Sequence, residues 1–216
     1  IHYPDSDGQP MAESDFQRRP LTYAVEALGI FFAGRPDVYV SGNMFVYYEQ
    51  GNPESVVAPD VFVVFGVPNH ERRSYRVWEE GKAPDFVLEI TSAATFARDS
   101  GSKRGTYAFL GVREYFQFDP TSDYLEPPLL GLRLVRRNYE EIPPTMAPDG
   151  TLSIPSQTLG LVLQWKASTG EFRFFDPARG LLLLTHSEEA AARRNAEAEL
   201  ERLRAELARL KGEDGR

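Results

Sequence analysis

A chain of 216 residues, 42% apolar and 12% aromatic, can form one compact domain with a real core plus an appendage. Its net charge of −8 is wrong for a general nucleic-acid coat protein, but it leaves room for a nuclease whose carboxylates are neutralised by metal ions. The absence of cysteine excludes disulfides and thiolate metal sites and fits a reducing cytoplasm, and no apolar run approaches the ~18 residues of a membrane span.

The opening Ile1 to Gly8 is polar and acidic, unlike a signal peptide, and a start on Ile1 suggests that a few leading residues are missing. Residues 1–13 are expected to form a polar arm without regular structure that does not join the core. Ser14 and Asp15 suit an N-cap, and Phe16, Leu21, Val25, Leu28 and Phe32 fall at helical spacings, which predicts an amphipathic helix over Asp15 to Ala33. Pro20 is tolerable only in a first turn, so the helix proper is expected to begin near it and to end at Gly34.

Val38 to Val40 and Met44 to Tyr48 read as strands separated by the turn Ser41-Gly42-Asn43. Val61 to Phe65 is a continuous apolar run, fit for a central strand covered on both faces. Residues 66–83 are polar and rich in Arg and Glu, and read as a loop or a strand extension. Phe86 to Thr91 alternates as a strand, with Phe86, Leu88 and Ile90 on one face and Val87, Glu89 and Thr91 on the other. A helix capped by Ser92 or Asp99 should run to Leu110, weakened by Gly101 and Gly105 and stopped by Gly111. Glu114 to Phe118 is the next strand. Together these give a mixed α/β core.

From Tyr124 to His186, short alternating apolar segments separated by Gly and Pro predict an antiparallel β-rich extension packed on the core. Beyond Ser187, Leu200, Leu203, Leu207 and Leu210 step at a and d spacing, while Glu199 with Arg202 and Glu206 with Arg209 can pair on the surface. Two heptads fit either a solvated helical tail or a short coiled coil that makes a homodimer. The expected division is residues 1–186, with a core at about 15–120, and a charged helical tail at 187–216.

Several chemistries are missing. There is no nucleophile elbow, no complete P-loop and no His-Glu-x-x-His, and His2, His70 and His186 are scattered and read as surface residues. What remains is acidic and lysine chemistry. Glu89 in so apolar a strand must be paired, hydrogen-bonded or metal-bound. Asp60 sits at the mouth of the preceding apolar strand. Should the two strands be neighbours, both carboxylates can converge on one Mg²⁺, which takes one or two carboxylates plus waters and phosphate oxygens. Lys103 follows on the next helix and Tyr107 lies one turn further on the same face. Taken singly each signal is weak, since Pro-Asp is a common turn and a helix lysine is usually solvated. Glu49, after an apolar strand, is a secondary candidate. Asp85 and Asp99 read as turn or capping residues, with Asp99 also placed to pair with Lys103. Arg72, Arg73, Arg76, Lys82, Arg98 and Arg104 are open to phosphate contact but read better as a solvated face.

The ordered set is more specific than its parts. Pro59-Asp60-Val61, Pro84-Asp85-Phe86-Val87-Leu88-Glu89-Ile90-x-Ser92, Asp99-x-x-x-Lys103-x-x-x-Tyr107, Gly111-Val112-x-Glu114-Tyr115 and Asp119-Pro120 resemble the Uma-two family, bacterial putative restriction endonucleases of the PD-(D/E)xK superfamily. The resemblance implies a restriction-endonuclease-like αβββαβ core. It makes Asp60 and Glu89 the metal-binding acids, adds the Ile90 carbonyl as a further ligand, and implies Mg²⁺ with Mn²⁺ able to substitute. The lysine expected two residues after the acid is Thr91 here, and Lys103 takes its place, supported by Tyr107. Some superfamily members borrow a helix glutamate, which brings in Glu26. The expected function is metal-dependent hydrolysis of phosphodiester bonds in DNA by a cytoplasmic protein. A catalytically silent nuclease-fold module that binds a partner, and hydrolysis of RNA or a nucleotide, are the alternatives.

Overall fold

The computed structural model describes residues 1–5, 14–91 and 99–213. From the N-terminus the elements are helix α1 (Asp15–Phe31), strands β1 (Val38–Ser41), β2 (Val46–Tyr47), β3 (Val56–Val57), β4 (Val61–Phe65) and β5 (Tyr75–Arg76), the short helix α2 (Val77–Glu80) and β6 (Phe86–Ile90). A π-helical turn, Asp99–Lys103, runs into helix α3 (Arg104–Leu110). Then come β7 (Glu114–Phe118), β8 (Leu129–Val135), β9 (Asn138–Glu141), β10 (Thr145–Met146), β11 (Thr151–Ser156), β12 (Leu161–Lys166), β13 (Glu171–Asp176), β14 (Leu181–Leu182) and the long helix α4 (His186–Glu213). Residues 1–183 form one unit and 184–216 a second.

The first unit is organised by a six-stranded sheet in the order β1-β4-β6-β7-β8-β9. Strand β4 runs antiparallel to β6, and β6 parallel to β7. A parallel pair needs a crossover, and this one carries α3. The alternation read from the sequence decides what each face meets. Val61, Val63, Phe86, Leu88, Ile90, Phe116 and Phe118 face α1 and the five-stranded antiparallel sheet β10-β11-β12-β13-β14. Phe62, Val64, Val87 and Tyr115 face the other way, toward Tyr107 of α3 and Val46 and Tyr75 of the three-stranded sheet β3-β2-β5. Both faces are covered, which is why the central strands read as unbroken apolar runs. Ala24 and Ala27 let α1 approach closely, and Leu28, fully buried beside them, contributes about 1.5–3 kcal/mol. Tyr23 stitches the helix to the five-stranded sheet, accepting the Phe174 N–H at 2.9 Å and donating to the Leu183 carbonyl at 3.0 Å.

Four expectations need correction. Helix α1 starts at Asp15 and keeps Pro20 inside it. The proline costs the Phe16 carbonyl its i+4 partner, a loss tolerated in an exposed first stretch of helix where Phe16 itself is 65% exposed. Residues 75–80 are not loop but β5 and α2, ordered by Tyr75, which is fully buried. The described part of the arm has no regular structure, yet it does join the packing: the Tyr3 ring lies 5.0 Å from Tyr47 and 5.1 Å from Trp78. Strands β8 and β9 extend the core sheet itself instead of standing apart from it. The expected cap at Ser92 lies outside the described residues.

In the second unit, α4 is exposed over residues 192–209, with Leu200, Leu203 and Leu207 at 48, 46 and 56%. Among the described residues no helix is long and apolar enough to cross a membrane.

Candidate active site

Register brings the two acids together. Val61 pairs with Leu88 and Phe62 with Val87, so one further step sets Asp60 opposite Glu89, on the face that carries Phe62 and Val87. Side chains opposite each other on adjacent strands stand about 4.5–5.5 Å apart at Cβ. The next step would set Pro59 against Ile90, and proline has no N–H to offer the ladder. The Asp60 carboxylate takes over the pairing, its Oδ2 accepting the Ile90 N–H at 2.6 Å. The turn before it is pressed onto the same spot: the Asn43 N–H reaches the carbonyls of Pro59 at 3.0 Å and Asp60 at 3.2 Å. A Cβ on Gly42 would lie 2.2 Å from the Asp60 carbonyl oxygen, so only glycine permits this approach.

Glu89 is 1% exposed and bonded at both oxygens. The Lys103 ammonium donates to Oε2 at 2.9 Å, and the Tyr107 hydroxyl donates to Oε1 at 2.5 Å. Lys103 closes the π-helical turn and Tyr107 sits one turn into α3, so both project from one side of the helix onto the sheet. Burial, then the Glu89 charge, then the bond to it, push ionisation of Tyr107 well above the ordinary tyrosine range, so it remains a neutral donor. Lys103 Nζ also lies 3.5 Å from the Ala58 carbonyl, which holds the ammonium beside the entrance to β4.

Two neighbours carry no signal of their role in the sequence. Gln117 pairs with Glu89 across the parallel β6–β7 ladder and is 7% exposed. Thr91, two residues along from Glu89 on the same face, has its Oγ1 buried and without a hydrogen-bond partner among the described residues. Gln117 alternates with Tyr115 in the sequence, but nothing there says that β7 borders β6.

The Uma2 family model, described as a putative restriction endonuclease, matches residues 2–166. The chain belongs to that family. A crystal structure of a putative nuclease from Anabaena variabilis superposes with a TM-score of 0.50 at 15% identity, covering 71% of this chain and 80% of that one. At that identity the likeness concerns the fold, and it agrees with a restriction-endonuclease-like core carrying a β-rich extension and a C-terminal helix. None of the curated proteins matches the sequence.

Within this Uma2 framework the other acids are placed as follows. Glu26 is half-buried on α1, whose buried residues pack on the sheet face opposite Glu89. Glu49 accepts from Ser55 Oγ at 2.7 Å and Asn52 Nδ2 at 3.0 Å, bonds that hold its carboxyl below the usual range and tie it to the 49–55 turn. Asp85 is 2% exposed at the far end of β6, accepting the Phe65 N–H at 2.8 Å and pairing with Lys82 at 2.7 Å. Glu114 and Asp119, both part of the Uma-two pattern, are scaffold residues. Glu114 accepts from Ser156 Oγ at 2.5 Å and the Gln157 N–H at 3.1 Å; Asp119 accepts the N–H groups of Tyr124 at 2.6 Å and Leu125 at 3.0 Å.

The basic residues are not a uniform solvated face. The Arg72 side chain is only 4% exposed, bridges both oxygens of Glu80 at 2.7 and 2.8 Å and lies 4.1 Å over the Tyr39 ring. Arg76 pairs with Glu79 at 2.9 Å, and Arg104 donates to the Tyr139 carbonyl at 3.0 Å. The Asp99 side chain and all of Arg98 lie outside the described residues. His2, His70 and His186 are exposed.

Proposed function

We propose that this Uma2 chain hydrolyses phosphodiester bonds in DNA with the help of a divalent cation. The observation that carries the reading is the facing of Asp60 and Glu89 with the ammonium of Lys103 between α3 and the sheet. The donor set suits Mg²⁺, with Mn²⁺ as substitute. Its side chains are hard oxygen donors, and Mg²⁺ is commonly held by one or two carboxylates together with waters and substrate phosphate oxygens. Asp60 and Glu89 would hold the ion, with the Ile90 carbonyl as a further donor. The buried Thr91 hydroxyl offers a partner to a water of its shell. When bound, such an ion makes a coordinated water acidic and offsets charge developing on phosphorus.

The chain's own groups divide the remaining work. Lys103, an ammonium on a flexible stem, is placed to orient the attacking water or to hold a non-bridging phosphate oxygen as negative charge accumulates there. Tyr107 fixes one oxygen of Glu89 and thereby aims the other. The Ile90 N–H does the same for Asp60. Until ion and substrate arrive, Lys103 balances the buried Glu89 charge, so the site can wait in a folded state.

The test uses purified protein with supercoiled plasmid and single-stranded oligonucleotides, in Mg²⁺, Mn²⁺ or chelator. Cleavage should require metal, and Glu89→Gln should lower it at least ~10²-fold, because it weakens the hold on the ion that would offset the developing charge, and losing one such charge-stabilising group costs about that much. Folded protein that cuts neither substrate with either ion, or a Glu89→Gln variant as active as the parent, would remove the proposal.

A further inference from the structure

Helix α3 and the β8–β9 turn enclose a cleft of about 780 Å³, with Gly101, Arg104, Gly105 and Phe109 on one side and Arg137 and Asn138 on the other. The turn itself is unusual. Val135 pairs with Asn138, leaving the two-residue loop Arg136-Arg137, whose φ angles are +48° and +72°. Such a loop favours Asn-Gly, because side chains in the left-handed region are strained. Two exposed arginines stand there instead, and one of them, Arg137, lines the cleft, so the hairpin accepts a conformational cost at the position that brings a guanidinium to it.

Arg104 adds a further guanidinium from the α3 wall, reaching across to the Tyr139 carbonyl of β9 at 3.0 Å. Phe109, in that same wall, is 80% exposed, and its ring meets Tyr48 only edge-on, with centroids 6.5 Å apart. Among the described residues, apart from the helix's own backbone and chain neighbours, no atom lies within 4 Å of where a Cβ on Gly101 or Gly105 would stand. Paired guanidinium groups recognise phosphate oxygens, and an exposed ring beside them can stack an unpaired base. In a chain of net charge −8 this concentration of cations is local, not a general property of the surface. Arg104 directly follows Lys103, so consecutive residues of the chain serve the cleft and the acid pair.

We propose that the cleft binds a single-stranded segment of nucleic acid, with Arg104 and Arg137 on its phosphates and Phe109 under an unpaired base, and feeds it toward Asp60 and Glu89. The destination rests on the nuclease reading; the binding does not. Binding of a labelled oligothymidine of about 20 nucleotides, and of a duplex of equal length, is therefore measured by fluorescence anisotropy in chelator, where nothing is cut. The full chain is compared with Arg137→Gly and Phe109→Ala. Glycine suits the φ of Arg137, so Arg137→Gly should keep or raise the melting temperature. It should still weaken oligothymidine binding several-fold and reduce the slope of log K against log salt by about 0.7, the loss of one phosphate contact. Phe109→Ala should weaken the single strand by about tenfold, within the range of one stacked base, and leave the duplex unchanged. Parent protein that does not bind oligothymidine, or variants that bind it as the parent does, would overturn the cleft assignment. Equal loss for strand and duplex in Phe109→Ala would overturn the stacking role. A strand bound through the cleft but never cut when Mg²⁺ is added would count against the nuclease reading alone.

Discussion

Replacing Lys103 by alanine strips an ammonium from a carboxylate that is 1% exposed, whereas the lysine side chain is itself 19% exposed. Removing one partner of a buried ion pair costs about 3–5 kcal/mol, and the partial exposure of the lysine places this case at the lower end, ~3 kcal/mol. At about 2–4 °C per kcal/mol for a domain of this size, Lys103→Ala should melt roughly 6–12 °C below the parent without metal. Mg²⁺ should then do what the ammonium did. A ligand at 100 times its dissociation constant adds about 2.7 kcal/mol, so saturating Mg²⁺ should return most of the loss in Lys103→Ala. It should raise the parent less, because there the cation has to displace an existing counter-charge, and it should leave Glu89→Gln nearly unmoved. The assay is thermal unfolding followed by circular dichroism, with and without Mg²⁺. Identical melting of parent and Lys103→Ala, or an equal Mg²⁺ shift in Glu89→Gln, would refute the reasoning.

Other measurements probe other parts of the structure. Arg72 bonds hold the Glu80 carboxyl below its ordinary value of 4.5, so this pair contributes stability that is complete above that pH and is lost as pH falls through the lower folded value. Glu80→Gln should cost about 3 kcal/mol at pH 7, and urea titrations should show the gap from the parent narrowing below pH ~4.5. Gly42→Ala drives a Cβ into the Asp60 carbonyl at 2.2 Å and must move that strand end; Mg²⁺ affinity by calorimetry should fall at least ~10-fold, a displacement worth more than 1.4 kcal/mol. Light scattering separates the two readings of α4: a short coiled coil gives twice the chain mass for the full chain and one chain mass after truncation at residue 186, whereas a solvated helical tail gives one chain mass in both.

What the sequence reveals follows from how local each signal is. Alternation alone tells which residues of β4 and β6 share a face, and it is enough to set Glu89 apart from Leu88 and Ile90. Helical spacing likewise puts Lys103 and Tyr107 on one side of α3. Neither pattern carries information about which strands are neighbours. The Asp60–Glu89 register, and the position of Gln117 beside Glu89, therefore depend on the sheet order. Buried charge is equally hard to read. Arg72 and Glu80 look like solvated residues in a polar stretch, and only the folded chain shows the guanidinium closed between a carboxylate and the Tyr39 ring. Pro20 misleads because propensity cannot report that the first turn of α1, which carries Phe16, is exposed to solvent. Tyr3 gives no warning, because a single aromatic in a polar arm has no periodicity to betray its packing.

The most direct measurement is anomalous diffraction from crystals soaked in Mn²⁺. A peak bonded by Asp60 and Glu89, absent from crystals of Glu89→Gln, is the expected result. Mn²⁺ bound elsewhere with no peak between those two acids, or a peak there that survives Glu89→Gln, would contradict a metal-assisted reaction at this site.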